Sequence, residues 1–107
     1  MQIGIILTKT PAEVGFGTFL RFTSIYLGKE DLSIYLIGNG VFNARKGHLK
    51  ENQIKKIIKN SNIYAYLDDL KARGIAEDSL IEGINIFESY DELVVDIMEN
   101  KDQVLSF

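Results

Sequence analysis

No cysteine occurs among the 107 residues, and histidine and proline each occur once. The first absence excludes disulfides, thiolate-bound metals, iron–sulfur clusters and any nucleophilic or persulfide-carrying thiol of the chain's own. A single histidine leaves no His-rich zinc site, and a tetrahedral zinc centre without thiolates lacks ligands. No metal and no cofactor is therefore expected. No apolar run approaches the roughly 18 residues that a membrane-crossing helix needs. The start, Met1-Gln2-Ile3-Gly4-Ile5-Ile6-Leu7, has neither the basic stretch nor the small-residue cleavage site of a secretory signal. A basic excess is also missing: the net charge is −3, which argues against a nucleic-acid partner. The expectation is a cytoplasmic protein without membrane or nucleic-acid contacts.

What is present is ordinary for a folded chain, with 46% hydrophobic and 25% charged residues. At this length residues 1–107 form one domain, because two cores would each be too small to fold comfortably alone. Ile3 to Leu7 is apolar on both faces, as at the centre of a parallel sheet. Thr10 and Pro11 then read as the cap and first turn of a helix. Its buried stripe is Phe16, Phe19, Leu20, Thr23, Tyr26 and Leu27, and Gly28 is its stop. Phe22 and Ile25 lie off that stripe, as they would if another subunit covered them. Leu32 to Ile37 reads as a second strand, and Gly38 to His48 as a polar loop of a size that is usually functional or mobile. Ile54, Ile57 and Ile58 mark a short helix with Lys50, Lys55, Lys56 and Lys59 on its other face. Asn62 to Tyr66 is a third strand, followed by a helix that ends at Gly74.

After one helical turn at Asp78–Ile81, Gly83 to Phe87 reads as a fourth strand. Ser89 caps the last helix, with Glu92 completing a capping box and Tyr90, Leu93, Val94 and Ile97 facing inward. Val104 to Phe107 is a fifth strand. The alternation predicts an α/β fold: a parallel sheet with helices on both faces.

In such sheets ligands bind beyond the carboxyl ends of the strands. Lys9 and Thr10 there offer a cation and a hydroxyl beside a helix start, although loop capping alone explains the same residues. Asn39, Arg45 and His48 could neutralise a phosphate or a partner carboxylate, or belong to a solvated loop. The glycines of Gly38-Asn39-Gly40 point to positive φ or a close approach to the main chain. The Gly-Lys-Ser/Thr element of a phosphate-binding loop is missing, and Gly15-Phe16-Gly17 has Leu20 where a dinucleotide fingerprint has its third glycine. Asp68 and Asp69 are adjacent, so on a helix they diverge by about 100° and suit an acidic first turn better than an acid/base pair. No nucleophile–base pair can be assembled, so no catalytic residue is assigned. Six of the basic residues fall between Arg45 and Lys59, and nine acidic ones between Glu77 and Asp102. That asymmetry suits head-to-tail or hetero-oligomeric docking.

The stretch Tyr64-Ala65-Tyr66-Leu67-Asp68-Asp69-Leu70-Lys71-Ala72-Arg73-Gly74-Ile75 resembles a signature of the DsrE/DsrF-like (YchN-like) family of sulfur-relay proteins. Phe19-Leu20-Arg21-Phe22, Leu36-Ile37-Gly38-Asn39-Gly40-Val41, Leu80-Ile81-Glu82-Gly83 and Val104-Leu105-Ser106-Phe107 extend the likeness over essentially the whole chain. The resemblance implies a three-layer α/β/α domain with a five-stranded, mainly parallel sheet. It also implies homotrimers, homohexamers or hetero-oligomers of related subunits. Sulfur-carrying members have a Cys-Gly-x-Cys pattern after the third strand, where this chain has Tyr66 and Asp69. A phenol and a carboxylate cannot carry a persulfide. The leading expectation is a non-catalytic family member, acting as a homo-oligomer or with a cysteine-bearing paralogue. The alternative is a small-anion or small-ligand binder using Lys9, Thr10, Asn39, Arg45, His48 and Tyr66.

Overall fold

A computed structural model describes all 107 residues. Five strands, β1 (Gln2–Leu7), β2 (Asp31–Leu36), β3 (Asn62–Tyr66), β4 (Asn85–Phe87) and β5 (Gln103–Ser106), form one sheet in the order β4-β3-β2-β1-β5. Every pairing is parallel. The helices are α1 (Val14–Tyr26), α2 (Glu51–Ile58), α3 (Leu67–Ala72) and α4 (Tyr90–Asn100). Two 3-10 helices, Gly38–Ala44 and Glu77–Ser79, complete the chain.

The first three crossovers step in one direction along the sheet, and the last returns across it to place β5 beside β1. Right-handed crossovers therefore put α1, α2 and α3 on one face and α4 alone on the other. The two apolar clusters follow that division. Eighteen buried residues, including Ile3, Ile5, Leu7, Phe16, Phe19, Ile34, Ile54 and Leu70, fill the three-helix side. The apolar cluster on the α4 side has only three buried members, Tyr35, Phe87 and Leu93. That thinner layer is reinforced by aromatic pairs in register across the strands: Tyr35 stacks on Tyr64 at 5.2 Å and Tyr66 on Phe87 at 5.1 Å. Such pairs add stability beyond the area they bury.

Four local expectations change. Helix α1 starts at Val14 rather than at Pro11: Glu13 is its N-cap, and the Glu13 Oε2 reaches back to accept the Thr10 N–H at 2.6 Å. Thr10 and Pro11 thus form a turn before the helix, and Thr10 does not cap it. The segment after β2 is not a mobile loop: Gly38–Ala44 is a 3-10 helix with Gly40, Val41, Asn43 and Ala44 buried. On α4, Tyr90 and Val94 are exposed, and the inner face is Leu93 with the partly buried Asp96 and Ile97. The rotation has an electrostatic cause. Lys101 lies along the sheet face over Gly4, with its side chain 5% exposed and its Nζ 3.0 Å from Asp96 Oδ2. A buried ammonium needs its carboxylate, so Asp96 turns inward. The Ser89 cap forms as expected, its Oγ accepting the Asp91 N–H at 3.2 Å, but Glu92 makes no return bond.

The tightest contact in the fold is Gly40 against β1. A Cβ there would lie 1.9 Å from the Leu7 carbonyl oxygen, a backbone atom that cannot turn aside. Gly40→Ala is expected to cost at least about 3 kcal/mol, read as a lowered urea midpoint. Replacing Gly28 with alanine gives a gentler comparison: it has φ +79° but open space around it.

Candidate functional site

The carboxyl ends of β1, β2 and β3 carry every candidate residue, and the structure sorts them into three places. At the end of β3, Asp69 sits in the first turn of α3. Its Oδ2 accepts the Gly38 N–H at 2.8 Å, and its Oδ1 lies 3.4 Å from Arg73 Nη1. Arg73 Nη1 also donates to the Asp69 carbonyl at 3.1 Å, and Arg73 Nε donates to Asn39 Oδ1 at 3.1 Å. Asp69, Arg73, Asn39 and Gly38 thus tie the start of α3 to the end of β2. Gly38 has φ +55°, which glycine adopts without steric cost and which aims its N–H at the carboxylate. Arg73 was not singled out from sequence, although its i,i+4 spacing from Asp69 was a usable signal.

Tyr66 diverges from Asp69. Its ring packs on Phe87 and, edge-on at 5.6 Å, on Tyr90 on the α4 side of the sheet. Its hydroxyl donates to Asp68 Oδ2 at 3.1 Å. Burial first, and the bond to Asp68 second, raise the phenol pKa above its ordinary value of 10.0. At neutral pH the phenol holds its proton and is no nucleophile. Tyr66 and Asp69 are therefore both engaged in holding the fold, on different sides of the strand end.

The third place is an open groove of about 630 Å³ between the Thr10–Ala12 turn and the segment that follows the Gly38–Ala44 helix. Thr10, Arg45 and His48 meet there, with Phe42 and Lys50, which sequence reasoning had not placed in a site. Arg45 lies with its guanidinium carbon 5.6 Å from the Phe42 ring centroid. His48 is committed: its Nδ1 accepts the Lys50 N–H at 3.0 Å, so its Nε2 carries the proton and donates to the Asn43 carbonyl at 3.0 Å. With both nitrogens engaged it shapes the wall. Asn43 Nδ2 in turn donates to the carbonyls of Lys9 and Gly40, stitching the two sides of the groove together. The Lys9 side chain lies against Gly15 rather than in the groove. No group of three His, Asp or Glu side chains is close enough to hold a metal ion. No helix is long and apolar enough to cross a membrane.

An all-parallel sheet between one thick and one thin helical layer, with its polar groups gathered at the strand ends, defines a small α/β domain of the kind the sequence predicted. Residues 17–103 match the family model described as DsrH like protein, and the chain belongs to that family. The ychN protein of E. coli superposes with a TM-score of 0.82 over 100% of both chains, at 23% identity. MTH1491 of Methanobacterium thermoautotrophicum, a protein of unknown function, gives a TM-score of 0.78 at 16% identity, over 99% of this chain and 97% of that one. BT1422 of Bacteroides thetaiotaomicron, also of unknown function, gives 0.72 at 18% identity, over 99% and 94%. At these identities the likeness is one of fold, and it agrees with the YchN-like resemblance of the sequence. No curated protein matches the chain in sequence.

Removing the Asp69 carboxylate leaves the Gly38 N–H without its partner. Asp69→Ala is expected to lower stability by about 1–2 kcal/mol in urea unfolding, and Asp69→Asn, which keeps an acceptor, by less. Tyr66 gives a test at alkaline pH. With its folded pKa raised, its contribution to stability is complete below pH 10.0 and is lost as pH rises through the folded value. The urea midpoint of Tyr66→Phe should therefore fall less steeply with alkaline pH than that of the wild type.

Proposed function

We propose that this chain is a non-catalytic subunit of a sulfur-relay assembly, working as a homo-oligomer or as the structural partner of a cysteine-bearing paralogue. The observation that carries this reading is the state of the β3 end. Where the resemblance places thiols, Asp69 is bonded to Gly38 and Arg73, and Tyr66 is stacked and protonated. The scaffold is kept, and its reactive positions serve as struts. With no cysteine anywhere in the chain, a persulfide must reside on another subunit.

Exposed apolar surface supports assembly. On α1, Phe22 is 40% and Ile25 56% exposed; on α4, Val95 is 49% and Met98 78% exposed. Both helices therefore present side chains that a neighbouring subunit would remove from water. The basic stretch around α2 and the acidic stretch around α4 supply opposite charges for docking.

Native mass spectrometry tests the reading, alone and after co-expression with a cysteine-bearing DsrE-like protein from the same source. The expected mass alone is a multiple of 12.1 kDa corresponding to a trimer or hexamer, or a mixed complex after co-expression. Ile25→Glu should shift that mass downward while leaving the subunit folded. A monomer that also fails to join the paralogue overturns the proposal.

A further inference from the structure

The groove beside Arg45 has a composition that the subunit role does not require. Its volume, about 630 Å³, falls within the range of small-ligand sites. Its walls include Pro11, Phe42 and Leu49, its polar groups include Thr10, Arg45 and Lys50, and no carboxylate lines it. Neither Arg45 nor Lys50 forms an ion pair within the chain. The neighbouring Glu51 is already neutralised: its carboxylate bonds Lys55 at 2.9 Å and accepts the Gly47 N–H, and the Lys55 bond holds its pKa below the ordinary carboxylate value. Two cationic residues without an ion-pair partner therefore line a space edged with apolar side chains. Leu49 is 98% exposed at its rim, an aliphatic side chain with nothing in the chain to pack against.

The geometry points to this groove as a binding site for a small organic anion with a flat apolar body, such as an aromatic carboxylate or an aryl phosphate. The guanidinium of Arg45, already set against the Phe42 ring, presents a planar fork that matches a carboxylate or phosphate head. Lys50 adds a second positive charge, and the Thr10 hydroxyl a hydrogen-bonding partner. The apolar body lies against Phe42, Pro11 and Leu49, where it displaces water from carbon surface. A bare inorganic anion would satisfy the cations and leave that surface wet. A neutral aromatic would cover the surface and leave the cations unpaired.

The test is a titration of the full-length isotope-labelled protein with 2-naphthoate, followed by amide chemical shifts. Parallel titrations use 2-naphthylmethanol, the neutral counterpart, and inorganic phosphate. The expected result is saturable shifts centred on Thr10, Phe42 and Lys50, with a Kd below about 1 mM and clearly weaker binding of both controls. Arg45→Gln should weaken naphthoate binding by about tenfold or more, because a charge-assisted pair is lost. Lys50→Gln should weaken it less, and both variants should keep the wild-type thermal midpoint. The proposal is overturned by shifts that do not saturate or that map elsewhere. Equal affinity for either control overturns it too, as does naphthoate binding that neither substitution changes.

Discussion

The seating of the Gly38–Ala44 helix against the end of β1 is the constraint on which the functional end of the molecule depends. Gly40 comes so close to the Leu7 carbonyl that no side chain fits between them. From that contact the rest follows outward. Gly38 is held where its N–H meets Asp69, and Asn43 is held where its amide reaches the carbonyls of Lys9 and Gly40. Phe42 and Arg45 then emerge on the groove side, and the Asn43 carbonyl is left to receive His48. Loosening one glycine contact would move residues from three strand ends together, since backbone atoms meeting at close packing density transmit displacement rather than absorb it.

The polar side chains at the β3 end are held by structural bonds. A carboxylate at the start of a short helix is favoured by the helix dipole, and here it also receives a backbone N–H and an arginine. Each partner makes the carboxylate less available for anything else. The phenol beside it is withdrawn to the opposite face, where its ring completes the aromatic layer beneath α4. The domain keeps the shape shared with the ychN protein. This chain's own side chains at that strand end are spent on cohesion.

The two faces of the sheet differ in how they are held, and the difference explains which helix was misread. The three-helix side is a continuous apolar core, so its stripes on α1 and α2 read directly from spacing: Phe16, Phe19, Thr23, Ile54 and Ile57 are all buried as the period demands. The α4 side has a single short helix over tyrosines and one buried lysine. There the pairing of Lys101 with Asp96 outweighs hydrophobic periodicity, and Tyr90 and Val94 end up in water. What buries that lysine is the sheet face beside Gly4, at the far end of the chain, and no local pattern records it.

The sequence alone determined the strands, their parallel arrangement, the family and the exclusion of thiol chemistry. Each of these is encoded in residue type and short-range period: β-branched runs buried on both faces, helices between them, and a count of zero cysteines. The glycines after β2 pointed to positive φ or a close approach, and the structure assigns the first to Gly38 and the second to Gly40. Only the tertiary structure decided which polar side chains meet. Asn39 went to Arg73, Asp69 to Gly38, and Thr10, Arg45 and His48 to one groove, while Lys9 turned away. Residues 30 or more positions apart are brought within hydrogen-bond reach by how far each crossover carries the chain before it returns. That distance is set by packing over the whole sheet, and no local pattern records it.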